Sequence, residues 1–481
     1  MNDERHGLVK VMGRTDVLAL AFGSMVGWGW VMLAGYWVEQ AGVLGAIGAF
    51  IIGAVMCIFV GTVYAELTPA LPLAGGELVF AYRGLGYTWS WITGWAISFA
   101  YISVAAWESI AVATAINYVF TIPHIGHIWD VAGYPVYFSW AAIGIFGALV
   151  LSIVNHFGVK TSAIFQVMAT VGLILAGLIF IFGGLAFGSV KNMLPSFTGG
   201  AGTVAVLLAV PSMFVGFDVI PQSAEEMNIP LRQIANVLII SIIMAASWYI
   251  IMIVGIALNA PPEVRNSAAI PVADSLAYAF HSPTFGKIMI AGGLCGVLTS
   301  WNGFMLGGTR VLFAMGRAKM LPPVFGKVHP KYHTPTAAII LVGFLCALSP
   351  LLGKNALVWF VNAGAFGTVV AYLMVSVSFI MVRNKEPNLA RPYKVKRSGF
   401  IGGGAIFTSL FFLFMYSPIA PSGGLVWPHE WGLVFIWFAI GAVLAALTKR
   451  SYSNITDSER EVLIFGEEYA RHEIIKERRN P

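Results

Sequence analysis

Gly23-Ser24-Met25-Val26-Gly27-Trp28-Gly29-Trp30 and Pro211-Ser212-Met213-Phe214-Val215-Gly216-Phe217-Asp218, the latter followed by Pro221, each break an apolar run. Glycine and proline are the residues a helix interior tolerates least, so each stretch predicts a helix that unwinds partway along. Inside lipid every backbone N–H and C=O needs a protein partner, and an unwound segment is stable only where it faces other helices or a cavity. Its free N–H groups open toward an anion and its freed carbonyls toward a cation. One glycine-rich span alone is equally well explained by close helix packing. Two in corresponding positions of two halves point to a binding site near a membrane midplane.

The surrounding composition is that of a membrane protein. The 481 residues are 58% hydrophobic and 10% charged, with a mean hydropathy of +0.80. Soluble proteins carry about 25% charged residues, so an ordinary soluble enzyme, a disordered chain and a nucleic-acid-binding domain are excluded. At ~20 apolar residues per crossing, windows fall at about 15–38, 43–66, 89–119, 137–154, 162–187, 203–221, 236–259, 285–315, 336–352, 356–382, 400–418 and 430–448. The expected class is an all-α polytopic membrane protein of about twelve helices. Five windows fill 15–187 and five fill 203–382, with two further helices in 400–448. Residues 1–14 and 449–481 are the polar ends.

Of the 28 Lys and Arg residues, 24 fall on the side of the N-terminus. This positive-inside bias predicts a multi-pass plasma (inner) membrane protein with both termini cytoplasmic. The net charge of +6 is therefore an orientation signal, and no basic cluster interleaved with aromatics suggests nucleic acid. Cys57, Cys295 and Cys346 lie in apolar runs and read as reduced packing residues. In the tail, Thr456 and Glu459 have capping-box spacing, and Val462, Leu463, Phe465 and Tyr469 would line one helix face. A solvated tail is the reading preferred there.

Four segments together resemble the amino acid–polyamine–organocation superfamily of secondary transporters, over nearly all of residues 10–450. They are Ser24-Met25-Val26-Gly27-Trp28-Gly29; Tyr64-Ala65-Glu66-Leu67 through Pro72-Leu73-Ala74-Gly75-Gly76-Glu77; Gly216-Phe217-Asp218 with Glu225-Glu226 and Asn228-Ile229-Pro230; and Gly307-Gly308-Thr309-Arg310 with Met315-Gly316-Arg317. The resemblance implies two inverted five-helix repeats, a LeuT-like fold, plus two C-terminal helices, working by alternating access. It also implies that amides around Val26, Gly27, Trp28 and Gly29 hold a solute carboxylate, while carbonyls from Ser212 to Val215 receive its amine.

The chain departs from that pattern in three places. Trp28 stands where a small residue is usual, and Ser212 where many members carry an aromatic gate, with Phe214 and Phe217 close by. Leu173 falls where many relatives carry an intramembrane lysine that replaces sodium.

Ionisable residues inside a membrane are costly and are functional candidates by default. Glu108 lies mid-span beside Trp107, and Asp218 just past the sixth-span break, so both are candidates for proton coupling. Each also fits a structural carboxylate. Glu66, Glu77, Glu225 and Glu226 are expected to contact Arg83, Arg232, Arg310 or Arg317 at the inner end. A sodium site is the second coupling option, because Leu298-Thr299-Ser300 resembles the Thr-Ser pair of the related neurotransmitter–sodium symporters. Gly23, Val26, Thr299 and Ser300 would form it. Trp28, Trp30, Trp107, Phe214, Phe217 and Trp301 suggest an aromatic surround for an ammonium group. Equally, such residues pack cores and interfaces.

These features describe a transporter of a small amine-bearing solute, an amino acid first, coupled to H+ or Na+ and needing no other cofactor. The alternative is exchange or uniport of a carboxylate-free amine or polyamine. The expected partners are this solute and membrane lipid. A channel would need a polar-lined span, and an enzyme a metal or nucleophile set; the sequence carries neither.

Overall fold

The computed structural model describes residues 8–420, 424–452 and 454–466. The chain opens with α1 (Arg14–Met25) and, after three residues, α2 (Gly29–Ala70). A straight helix of 42 residues would run about 63 Å, twice the ~30 Å hydrocarbon core. It is not straight. Gly42, at φ 68° and ψ 171°, divides it, and the backbone of Ser196 and Phe197 fills the space where a side chain would stand. The expected windows 15–38 and 43–66 are thus α1 with the start of α2, and the remainder of α2.

The chain continues through α3 (Gly76–Leu85), α4 (Tyr87–Val119), α5 (Phe138–His156) and α6 (Val159–Phe187). A two-stranded ribbon, β1 (His127–Val131) paired with β2 (Tyr134–Tyr137), joins α4 to α5. The all-α expectation did not include this ribbon; apart from Tyr137, its turn and strands lie outside every apolar window. Then follow α7 (Gly200–Phe214), α8 (Val219–Gln222), α9 (Leu231–Asn259), α10 (Pro262–Ser267), α11 (Pro271–Ala279) and α12 (Pro283–Arg317). The described chain ends with α13 (Thr336–Leu348), α14 (Ala356–Lys385), α15 (Ser398–Met415), α16 (His429–Ser451) and α17 (Asp457–Phe465).

Among the described residues ten helical segments are long and apolar enough to cross a bilayer. Dividing α2 at Gly42, and adding the short apolar stretch Thr336–Leu352, brings the count to the twelve expected crossings. Small residues let these helices approach closely. A Cβ on Gly53 would collide with Val210, on Gly61 with Ile242, on Gly177 with Trp248 and on Gly292 with Ala176. Those contacts draw α7 and α9 onto α2, α9 onto α6, and α6 onto α12. At the outer wall Trp95 and Trp437 stack at 4.5 Å, each indole donating to the other's backbone carbonyl at 3.0 Å.

Acidic and basic side chains tie the helix ends together. Arg310 grips Glu226 with two hydrogen bonds of 2.8 and 2.9 Å, and Arg317 grips Glu225 at 2.7 and 3.0 Å. Two of the four expected glutamates therefore meet the expected arginines. Glu66 instead pairs with Arg383 and Arg391 and accepts from the Val395 amide. The capping box at Thr456 and Glu459 starts α17. This helix docks through Arg460 over the Tyr87 ring and Phe465 against Tyr82. From Arg460 to Gly466 the tail is thus packed and not solvated, while 456–459 are exposed; Tyr469 lies outside the described residues.

Candidate functional site

Both breaks form where the sequence placed them, and they touch. The first lies between the end of α1 at Met25 and the start of α2 at Gly29, with Val26 at a non-helical φ of −104° and ψ of 68°. The second begins at the end of α7, three residues beyond Pro211, where Val215 leaves the helix and Gly216 adopts φ +135°. Only glycine fits there. A Cβ on Gly216 would lie 2.7 Å from the Met25 amide nitrogen and 2.8 Å from the Ser24 carbonyl carbon. The unwound segments therefore cross backbone to backbone.

Tyr249, from α9, ties the crossing. Its hydroxyl lies 2.6 Å from the Met25 carbonyl and 3.0 Å from the Met213 carbonyl, so one O–H serves an acceptor on each break. Terminal carbonyls of a helix have no intrahelical partner, and this side chain supplies one. Its ring is fixed among Trp37, Phe50 and Phe214.

A cavity of about 40 Å³ lies against this crossing. At ~10–15 Å³ per water this is room for about three waters. Ser24, Met25, Gly27, Trp28 and Gly29 form one wall, and Ser212, Met213 and Val215 another; Trp107, Glu108, Tyr249, Ser300, Phe304 and Thr368 line the rest with Val104, Val361 and Ala365. Glu108 is 2% exposed. Its carboxyl lies directly on the first break: a Cβ on Gly27 would collide with Glu108 Oε1 and come within 2.8 Å of Ser300 Oγ. The Ser300 hydroxyl and the Trp28 amide face the carboxyl, while Oε2 has no hydrogen-bond partner among the described residues. The Trp28 ring turns toward α12, where Gly293 makes room for it.

The cavity gathers Gly27, Trp28, Gly29, Trp107, Glu108, Ser212 and Ser300 from the expected site. Val26 lies in the break with its carbonyl 3.0 Å from a Cβ built on Gly296. The other aromatics of the expected surround point elsewhere. Phe214 packs on Phe50 and Tyr249, and Phe217 lies between Tyr64 and Tyr372 at 5.5 Å from each. Trp301, one position beyond Ser300 and so turned by about 100°, packs against Gly147. Trp30 meets Trp248. The expected cage of six aromatics is thus corrected to Trp28 and Trp107, joined by Tyr249 and Phe304.

A family model described as "Amino acid permease" matches residues 12–446. The chain belongs to this family. It is 27% identical over 459 residues to the branched-chain amino acid permease BcaP of Bacillus subtilis (strain 168), covering 93% of this chain and 95% of that one. It is 24% identical to the methylthioribose transporter of the same organism, with the same coverage. To human cationic amino acid transporter 4 it is 30% identical over 405 residues, which are 78% of this chain and 60% of that protein. The family and these relatives are transport proteins and not enzymes, so the expectation of a transporter is met on that ground.

Within this permease the second candidate carboxylate sits in a separate, fully buried network. Asp218 Oδ1 accepts from the Gly216 amide at 2.7 Å and Oδ2 from the Tyr101 hydroxyl at 2.9 Å. The same hydroxyl lies 3.4 Å from Glu77 Oε1, and Gln222 donates to Glu77 Oε2. Glu77 was expected beside an arginine; it sits instead across Tyr101 from Asp218. Tyr101 and Glu108 are seven residues apart on α4 and therefore share a face about 10 Å apart along the axis. That spacing is legible in the sequence and would have drawn Tyr101 into the site. Tyr249 carries no comparable local signal, and Glu77 was legible as the end of the second-span motif but not as a neighbour of Tyr101.

The residues of the expected sodium site come close without forming a cage. A Cβ on Gly23 would lie 2.8 Å from Thr299 Cβ, but the Thr299 hydroxyl donates back to Gly296 at 2.9 Å and Ser300 faces Glu108. Between α1 and α12 lies the Gln166 amide, 3.2 Å from the Ala19 carbonyl and 3.1 Å from the Thr299 carbonyl. Leu173 is buried beside Gly296.

Proposed function

We propose that this permease is a secondary active transporter of a small amine-bearing solute, with amino acids the first class to test, working by alternating access in the plasma (inner) membrane with both termini cytoplasmic. The observation that carries the reading is the crossing of two unwound helices at one buried cavity, tied by Tyr249. The resemblance to a two-repeat inverted fold supports rocking of one repeat about this point. The names of two relatives support amino acids as solutes, and the small cavity favours a compact one. The name of a third, the methylthioribose transporter, leaves room for other solutes.

Coupling is assigned to protons. Asp218 joins the second break to α4 through Tyr101, so its protonation changes a contact between the parts that would move. Sodium at Gly23, Val26, Thr299 and Ser300 is the second reading, supported by the approach of Gly23 to Thr299.

The test is uptake by reconstituted proteoliposomes across a panel of labelled amino acids and amines. Saturable flux with counter-exchange, accelerated by an inward proton gradient and unchanged when choline replaces sodium, is expected. Loss of uptake in choline moves the coupling to sodium. Gradient-independent exchange makes the protein an exchanger or uniporter, and non-saturating ohmic current overturns the transporter mechanism for a channel.

A further inference from the structure

Resting on the transporter reading above, we propose that Glu108 is the built-in counter-ion of the solute's cationic nitrogen, and that it excludes a solute carboxylate from the first-helix break. The transported class is then small organic ammonium ions without a free carboxylate.

The argument begins with space. Over Gly27, where the break exposes its amides, there is no room even for a methyl group, because Glu108 Oε1 and Ser300 Oγ already fill it. The anion that this break attracts is therefore already present and covalently part of α4. Its surroundings are those of a carboxylate made to receive something. The Ser300 hydroxyl and the Trp28 amide face it, and the second oxygen, in a side chain 2% exposed, has no hydrogen-bond partner among the described residues. The cavity that it lines contains no Lys, Arg or His. A buried carboxylate without a counter-ion is costly, and a bound ammonium ion removes that cost. Trp28 and Trp107 line the same space, and aromatic side chains are the type that attract a cation. A second carboxylate brought to about 4 Å from the first would lose roughly 100- to 1,000-fold in affinity from like-charge repulsion.

The test compares leucine, leucine methyl ester and 3-methylbutylamine, which share one side chain and differ at the carboxyl group. Binding to the full-length protein in detergent is measured by thermal shift, and transport by uptake and counterflow in proteoliposomes. Expected is binding of the amine and the ester at least 100-fold tighter than of leucine. Glu108→Gln should lose at least 100-fold for the amine, while Glu108→Asp keeps the preference. Glu108→Ser, which clears the space over Gly27, should gain affinity for leucine. Melting of each unliganded variant establishes that it folds.

Wild-type affinity for leucine equal to or above that for the amine overturns the proposal, as does amine affinity changed less than threefold in a folded Glu108→Gln protein. Either result leaves the transporter reading standing. Absence of binding and flux for all three probes overturns the amine-bearing-solute reading itself, and this proposal with it.

Discussion

Deleting one oxygen atom tests whether the two breaks work as a unit. Tyr249→Phe keeps the ring among Trp37, Phe50 and Phe214 and removes only the hydroxyl that reaches the Met25 and Met213 carbonyls. An interhelical hydrogen bond in a membrane protein is worth about 0.6 kcal/mol on average and up to about 1.7. Here two carbonyls at helix ends lose their side-chain donor, and an unsatisfied buried acceptor costs about 1–3 kcal/mol. The expected destabilisation of the crossing is thus about 1–3 kcal/mol, a factor of roughly 5 to 150 in any equilibrium that requires it. Proteoliposome uptake should fall by a factor in that range, while the purified protein stays folded with a lowered melting temperature. Uptake within twofold of wild type, at an unchanged melting temperature, would refute the idea that Tyr249 holds the breaks together. Global unfolding would refute it differently, by showing that the hydroxyl supports the whole bundle.

Three further outcomes are expected. Glu226→Gln leaves the Arg310 guanidinium, which is 1% exposed, without its counter-ion; this should cost about 3–5 kcal/mol, read as a lowered melting temperature, and a Glu226→Gln, Arg310→Met double variant should recover most of it. Trp28→Ser and Gly293→Ala should each destabilise, by about 3–5 kcal/mol for the void and about 1–3 kcal/mol for the clash. Their double variant should depart from additivity by more than about 0.5 kcal/mol, because the ring and the glycine touch. The Glu459 carboxylate is held below its ordinary pKa of 4.5 by the Thr456 amide and hydroxyl. Its contribution to α17 is therefore complete above 4.5 and lost as pH falls through the lowered value; amide protection across 457–465, taken relative to the intrinsic exchange rate at each pH, should fall there, and not in Glu459→Gln.

The parts of the fold that were legible are those written in local chemistry. Apolar windows of bilayer length gave the crossings, and Gly27, Gly29, Pro211 and Gly216 gave the breaks, because glycine and proline act on their own backbone. Thr456 and Glu459 formed the capping box they spelled out. What stayed hidden depends on partners far away in the chain. Nothing near Glu66 says that its arginines are Arg383 and Arg391, and nothing near Trp301 says that its ring turns toward Gly147. The ribbon between α4 and α5 escaped because its strands are short and mostly exposed. Phe214 and Phe217 were placed together in the expected aromatic surround from proximity in sequence. Residues three apart on an unwinding segment need not share a face, and these two join different aromatic clusters.

The departures at the first break make sense only together. Trp28 in place of a small residue looks like an obstruction at the site until α12 is considered. Gly293 leaves the hollow into which the ring turns, with a Cβ there only 2.8 Å from the ring edge. Volume added on one helix is matched by volume missing on the other, so the ring builds a wall of the cavity instead of filling it. Glu108 follows the same logic in charge. An open break with amide donors invites an anion, and on α4 the chain supplies one two turns beyond Tyr101. The same face of α4 thus carries Tyr101 to Asp218 at the second break and Glu108 to Gly27 at the first. A shift of α4 relative to the two broken helices cannot disturb one of these contacts while leaving the other unchanged. Under the proton-coupled reading proposed above, that shared helix face is the contact through which occupation of the cavity would reach Asp218.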